Sequence, residues 1–321
     1  MTLLTPEVLS ILIIDFLFLI FGAIAFYLSI KIFLNWNLNS TTLLQYNLEK
    51  QSYLVATIIK YILLLKLPLF LYFIFTQDKL STVIPGAMCA AGVVDATKYG
   101  IYLFLFKIVN LYLFGIWLVI HKIDVKSPNY PFTKIKFGLF AILFVLLVIE
   151  ISIEFLMFYE INPSKIVSCC GTLFSTAKTS YLASFLSIPK PIILTIFYLN
   201  FLAIVLLKFL KQEILFGVAN LIFVIISILS LISFFSTYIY ELPTHHCPFC
   251  LLQSDYYYVG YILYIFLFMG TFSGISAGIL KLFTKENTSR WVNISIFFDT
   301  LYLVLVSIYP IIFYIKNGVW L

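Results

Sequence analysis

The chain has 321 residues, 63% hydrophobic and only 11% charged, with a mean hydropathy of +1.08. Soluble domains carry about 25% charged residues, so an ordinary soluble fold is excluded. The net charge of +6 comes from basic residues scattered through short connectors rather than gathered in a stripe. That argues against nucleic acid as a partner and for orientation in a bilayer.

Apolar stretches long enough to cross about 30 Å of hydrocarbon recur along the whole chain. Eight spans are expected, at 8–33, 54–76, 100–120, 137–159, 191–207, 214–240, 257–280 and 293–315. The fold class is therefore all-α, a polytopic integral membrane helical bundle. No Ser/Gly linker, low-complexity tract or charge block interrupts it, so 1–321 reads as a single transmembrane domain. The first span is expected to be a retained helix, since no basic residue precedes it and no small-residue cleavage site follows.

In chain order, span one carries Asp15 and span two carries Lys60 and Lys66. Asp15 and Lys60, like Asp299 in span eight, are placed toward span ends, where reaching for the interface is less costly. The connector 77–99 holds Met88 next to Cys89 among small residues, a soft thioether beside a thiol. Span three carries Lys107. Span four carries Glu150 and Glu154, four apart and so on one helix face. That face must turn inward, because a carboxylate facing lipid is costly. Lys66 and Lys107 lie at comparable depth and are the expected partners, in a structural ion-pair network, a proton relay or the floor of an ion site.

The connector 160–190 holds Cys169-Cys170-Gly171. A bridge between neighbouring cysteines is strained, so each thiol should face a different partner or one soft ion. The connector 241–256 contains His245-His246-Cys247-Pro248-Phe249-Cys250. Two thiols at this spacing can close a disulfide or pinch one metal ion, and the imidazoles suit zinc or copper. Covalent haem is excluded because Leu251 stands where Cys-x-x-Cys-His requires histidine. Tyr256, Tyr257, Tyr258 and Tyr261 suit a headgroup-level aromatic belt. In span seven, Gly270, Ser273, Gly274, Ala277 and Gly278 form a small-residue stripe for close helix packing.

Alternation of the spans divides the connectors into two sets. The set 35–53, 121–136, 208–213 and 281–292, with flanking Lys31, holds 11 of the 20 Lys and Arg, and the other set holds 6. Positive charge concentrates on the cytoplasmic side. Both termini and all five cysteines are therefore expected on the non-cytoplasmic side of a bacterial inner membrane. The Asn-x-Ser/Thr matches at Asn39, Asn287 and Asn293 then fall in cytoplasmic segments or a span and are chance matches.

The leading expectation is an outward-facing site that binds and handles copper or zinc. Cys247 and Cys250 would be primary ligands, His245 or His246 auxiliary, and Cys89, Met88, Cys169 and Cys170 candidates to complete the shell. A metal-carrying or thiol partner protein at the outer face is implied. The alternative is a thiol–disulfide oxidoreductase in which Cys247 and Cys250 react and electrons pass to quinone. Cys247-Pro248-Phe249-Cys250 resembles the active-site motif of thioredoxin-like oxidoreductases over four residues, without that fold's βαβ pattern. The outward paired thiols resemble those of membrane disulfide-forming proteins. A third reading is a small-solute or ion transporter using Glu150, Glu154, Lys66 and Lys107.

Overall fold

The computed structural model describes residues 4–38, 40, 42–127, 129–162, 166–167, 189–283 and 288–321. Among them all regular structure is helical. In chain order the helices are α1 (Pro6–Asn35), α2 (Leu43–Ser81), a short α3 (Ala90–Ala96), α4 (Gly100–Lys126), α5 (Thr133–Glu160), α6 (Lys190–Phe209), α7 (Glu213–Tyr240), α8 (Val259–Phe283) and α9 (Ser289–Asn317). All but α3 are long and apolar enough to cross a membrane. Each of the eight expected spans corresponds to one of them.

Local chemistry sets the ends. Pro6 opens α1, where its missing N–H and fixed φ cost nothing. Gly318, at φ 72°, closes α9 in the left-handed conformation that helix C-termini favour. The largest departure from expectation is α2, which starts at Leu43 rather than near residue 54. The Thr42 hydroxyl accepts from the Gln45 N–H at 3.4 Å and caps a polar first turn that a hydropathy window ignores.

Contacts divide the chain into two compact units. In the first, Met1–Pro85 and Val93–Lys165, α1 packs on α2, α2 on α4, α4 on α5 and α5 back on α1. This is the sequential-neighbour order of an up-down-up-down bundle. Its core includes the fully buried Phe73, Phe114, Trp117, Phe137, Phe140 and Phe158. The connector between α4 and α5 is tied down by Asp124, which accepts from Lys136 Nζ (2.5 Å), Thr133 Oγ1 (3.1 Å) and the Phe132 N–H (2.7 Å). Lys136 is thus a buried structural residue, not a solvated connector lysine.

The second unit, Gly86–Gly92 and Ile166–Leu321, joins α6 to α7, α7 to α8, α8 to α9 and α9 to α6. The small-residue stripe of α8 serves packing inside this unit. A Cβ on Gly278 would lie 2.9 Å from the Cα of Gly217 on α7, and one on Gly274 would strike Asn220 at 2.2 Å. The α7 backbone widens into a π-turn at Leu231–Phe235, a distortion that re-aims carbonyls.

Candidate metal centre

The second unit gathers three cysteines from two distant stretches of chain. The Sγ atoms of Cys89, Cys247 and Cys250 all lie within 4.8 Å of one another. Cys89 and Cys247, 158 residues apart, have sulfurs 3.7 Å apart. All three residues are buried, Cys89 and Cys247 completely. This buried trio of thiols could hold a metal ion. A disulfide needs sulfurs about 2.05 Å apart, so Cys89 and Cys247 are in van der Waals contact and not bonded.

Each sulfur is held by its own backbone environment. Cys89 lies immediately ahead of α3, after a turn through Gly86 (φ 87°). A Cβ at Gly86 would stand 2.0 Å from the carbonyl oxygen of Val167, so only glycine admits that close approach. Gln253 Nε2 donates to the carbonyl of Met88 at 2.9 Å, which pins the Cys89 turn to the segment after Cys250. Around the Cys-Pro-Phe-Cys run, the Tyr240 hydroxyl donates to the carbonyl of Cys247. The Tyr264 hydroxyl donates to that of Pro248 at 2.6 Å. Cys250 opens a single 3-10 turn, Cys250–Leu252, closed by Gln253 N–H on the Cys250 carbonyl at 3.1 Å.

The two histidines differ. His246 Nδ1 lies 2.9 Å from the carbonyl oxygen of Ile232, within the π-turn, so it carries the proton and donates. This leaves Nε2 as the lone-pair nitrogen. His245 packs edge-on against Tyr240, ring centroids 4.4 Å apart, and its Nε2 is buried without a hydrogen-bond partner. Burial lowers the pKa of both imidazoles. At His245 the nearby Cys89 opposes this and His246 reinforces it. At His246 the Ile232 bond opposes it. No ring nitrogen of either histidine belongs to the group of mutually close ligand atoms, so either would join a metal's shell only after a side-chain rotation.

Met88 was expected beside Cys89 as a ligand, yet its side chain is 72% exposed while its neighbour is fully buried. Only its backbone serves the site. Cys169 and Cys170 lie outside the described residues, as do Asn39 and Asn287. Tyr240, Tyr264 and Gln253 were not anticipated, whereas Gly86 belongs to the small residues around Cys89 that were expected to allow a close backbone approach. The available signal for Tyr240 was weak, a tyrosine seven residues before a cysteine.

The intramembrane charged residues form a second constellation, within the first unit. Lys66 Nζ lies 2.7 Å from Asp15 Oδ1 and 3.2 Å from Glu150 Oε1. Lys107 Nζ lies 3.0 Å from Glu150 Oε1 and 2.6 Å from Glu154 Oε2. Asn110, one turn beyond Lys107 on α4, donates to Glu150 Oε2 at 2.6 Å. The placement of Asp15 and Asp299 near span ends is corrected. Asp15 is buried against Lys66, and Asp299 is fully buried on α9, where Ser295 donates to its Oδ2 at 3.0 Å. Lys60 is exposed.

Comparison with protein-family models, with curated proteins and with solved structures finds no match to this chain.

Proposed function

We propose that the protein binds one soft transition-metal ion, copper(I) or zinc, on Cys89, Cys247 and Cys250. It would handle that metal at the non-cytoplasmic face of a bacterial inner membrane, exchanging it with a metal-carrying partner protein. The observation that carries the reading is the closeness of three buried sulfurs drawn from two loops. A tetrahedral thiolate site with metal–sulfur bonds of about 2.3 Å has edges of roughly 3.8 Å, and the Cys89–Cys247 separation is 3.7 Å. Burying three thiolates without a compensating cation is costly. Sulfur donors select copper(I) and zinc over calcium or magnesium, which take oxygen.

Among the described residues the cluster offers three ligands, a count that favours exchange over a structural role. Structural zinc sites are closed by four protein ligands, whereas three leave a position open for an incoming donor. His245 or His246 would be an auxiliary ligand occupying that position in the absence of a partner, and Cys169 and Cys170 remain the other sulfurs that could.

Metal analysis of the full-length protein, purified without chelator, tests the reading. About one ion per chain is expected, lost both in Cys89→Ser and in Cys247→Ser/Cys250→Ser. Unchanged metal content in both variants removes the proposal. The alternative, disulfide exchange feeding electrons to quinone, draws on the same 3.7 Å pair. It predicts a Cys89–Cys247 disulfide in the metal-free protein as isolated and a trapped mixed disulfide in Cys89→Ser or Cys247→Ser.

A further inference from the structure

The charged side chains of the first unit form a linear chain of alternating sign: Asp15, Lys66, Glu150, Lys107, Glu154. They come from α1, α2, α5, α4 and α5 in that order, so every long helix of the unit contributes. Three carboxylates face two ammonium groups, which leaves one uncompensated negative charge. All five side chains are at most 5% exposed. Each ammonium also lies over an aromatic ring, Lys66 over Phe18 at 5.5 Å and Lys107 over Phe73 at 4.6 Å. Such contacts favour the charged form of the lysines.

The missing positive charge can be located. Glu150, at the centre, is surrounded by donors from Lys66, Lys107 and Asn110. The two ends are not. Asp15 Oδ2 and Glu154 Oε1 are buried and have no hydrogen-bond partner. A net charge in hydrocarbon-like surroundings is strongly disfavoured, and each orphaned buried acceptor adds a further penalty. One proton on an end carboxylate removes the net charge and turns that orphaned oxygen into a hydroxyl.

We infer that this chain is a binding site for one exchangeable proton inside the membrane, held by the end carboxylates Asp15 and Glu154. A metal cation is the poorer occupant. Among the described residues the chain offers three orphaned oxygens, on Asp15, Glu154 and Asn110, whereas hard cations take about six or more oxygens. Both ammonium groups would also repel it. A small crevice lined in part by Lys66, Lys107 and Glu150 adjoins the centre of the chain. Because each lysine is shared between two carboxylates, a proton taken up at one end lets the lysine there lean toward Glu150, so the protonated end sets how Lys66 and Lys107 are shared. The unit thereby has what proton-coupled work across a bilayer requires, a carrier whose occupancy alters contacts among four helices.

The test is infrared difference spectroscopy on the full-length protein in lipid bilayers, following the carboxylic-acid C=O band against pH. Asp299, in the other unit, contributes equally to wild type and to the variants below and cancels between them. The expectation is one protonated carboxyl per chain at neutral pH, lost on alkalinisation. Glu154→Gln alone and Asp15→Asn alone should each remove it, because either substitution leaves two carboxylates for two lysines. Both replacements are neutral near-isosteres of the protonated acid. Titration of Asp299→Asn, which keeps both Asp15 and Glu154, decides the matter even if either variant of the chain fails to fold. No band, a band that never titrates, a band that persists in both variants, or one displaced by sodium at constant pH would each overturn the inference.

Discussion

Around the cysteine cluster, single hydroxyl groups fix the backbone that carries the sulfurs. The Tyr240 hydroxyl holds the carbonyl of Cys247. Groups that orient a ligand from behind typically change metal affinity by 10–100-fold. Tyr240→Phe is therefore expected to weaken metal binding by roughly 10-fold while costing only about 1 kcal/mol of stability. Competition with a chelating dye reads the first, and thermal unfolding reads the second. A similar loss of affinity and of fold would assign Tyr240 to folding alone.

His245 sets a pH dependence whose sign can be worked out. Burial depresses its pKa below the ordinary 6.5, so the folded protein prefers the neutral ring. Its stabilising contribution is complete above pH 6.5 and is lost as the pH falls below it. A neutral ring is also the form that binds metal. If His245 closes the fourth position, His245→Ala should lower affinity about 10-fold near neutrality. Below pH 6.5 it should make log Kd less steep against pH, by up to one proton. An unaltered slope hands the position to another donor, and a Cys169→Ser/Cys170→Ser variant then asks whether that donor is sulfur.

At the scale of helices, glycines mark where two elements come too close for a side chain. On α8, a Cβ at Gly270 would stand 2.1 Å from Asp299 Oδ1 on α9, and one at Gly274 2.2 Å from Asn220 on α7. Asn220 and Asp299 are bridged by Ser295, 3.1 Å and 3.0 Å away. Alanine at either glycine must displace a buried polar group, with an expected loss of about 1–3 kcal/mol. Gly318 is the control. It has open space around it and only its φ of 72° to protect, so alanine there should cost about 1 kcal/mol or less. Unfolding in detergent ranks the three. Equal losses at all three sites would mean that crowding on α8 is relieved by helix movement.

These elements show what a sequence reveals and what it withholds. The eight long helices were legible because bilayer thickness imposes a length and a composition on each. Glu150 with Glu154, and the stripe on α8, were legible because helical periodicity alone puts them on one face. Asp15 was misjudged because depth cannot be judged from sequence alone where α1 is apolar on all sides. Asn110 was overlooked although it follows Lys107 by three residues, the interval that shares a face. The meeting of Cys89 with Cys247 depends on contacts between residues 158 apart, and no local pattern encodes that. Met88 failed as a ligand candidate for a related reason. Adjacent residues on a turn point in different directions, and burial of Cys89 leaves its neighbour outside.

For the whole molecule, orientation determines whether the proposed metal chemistry has a suitable setting. Thiolates on the cytoplasmic side meet a reducing thiol pool, while those outside meet oxidants and metal-carrying partners. The charge distribution argues for the outside, since 11 of the 20 Lys and Arg belong to the connector set that excludes every cysteine. Two exposed positions test this from opposite sets, Lys134 at the start of α5 and Val319 beyond α9. In a cysteine-free background, Val319→Cys should react with a membrane-impermeant maleimide added to intact cells. Lys134→Cys should react only after the membrane is opened. The reverse pattern would put the cysteine cluster on the cytosolic side. Metal exchange with an outer partner would then fail, although the cluster could still bind its ion. Metal content and labelling are therefore independent readouts, and measuring both separates an error in topology from an error in chemistry.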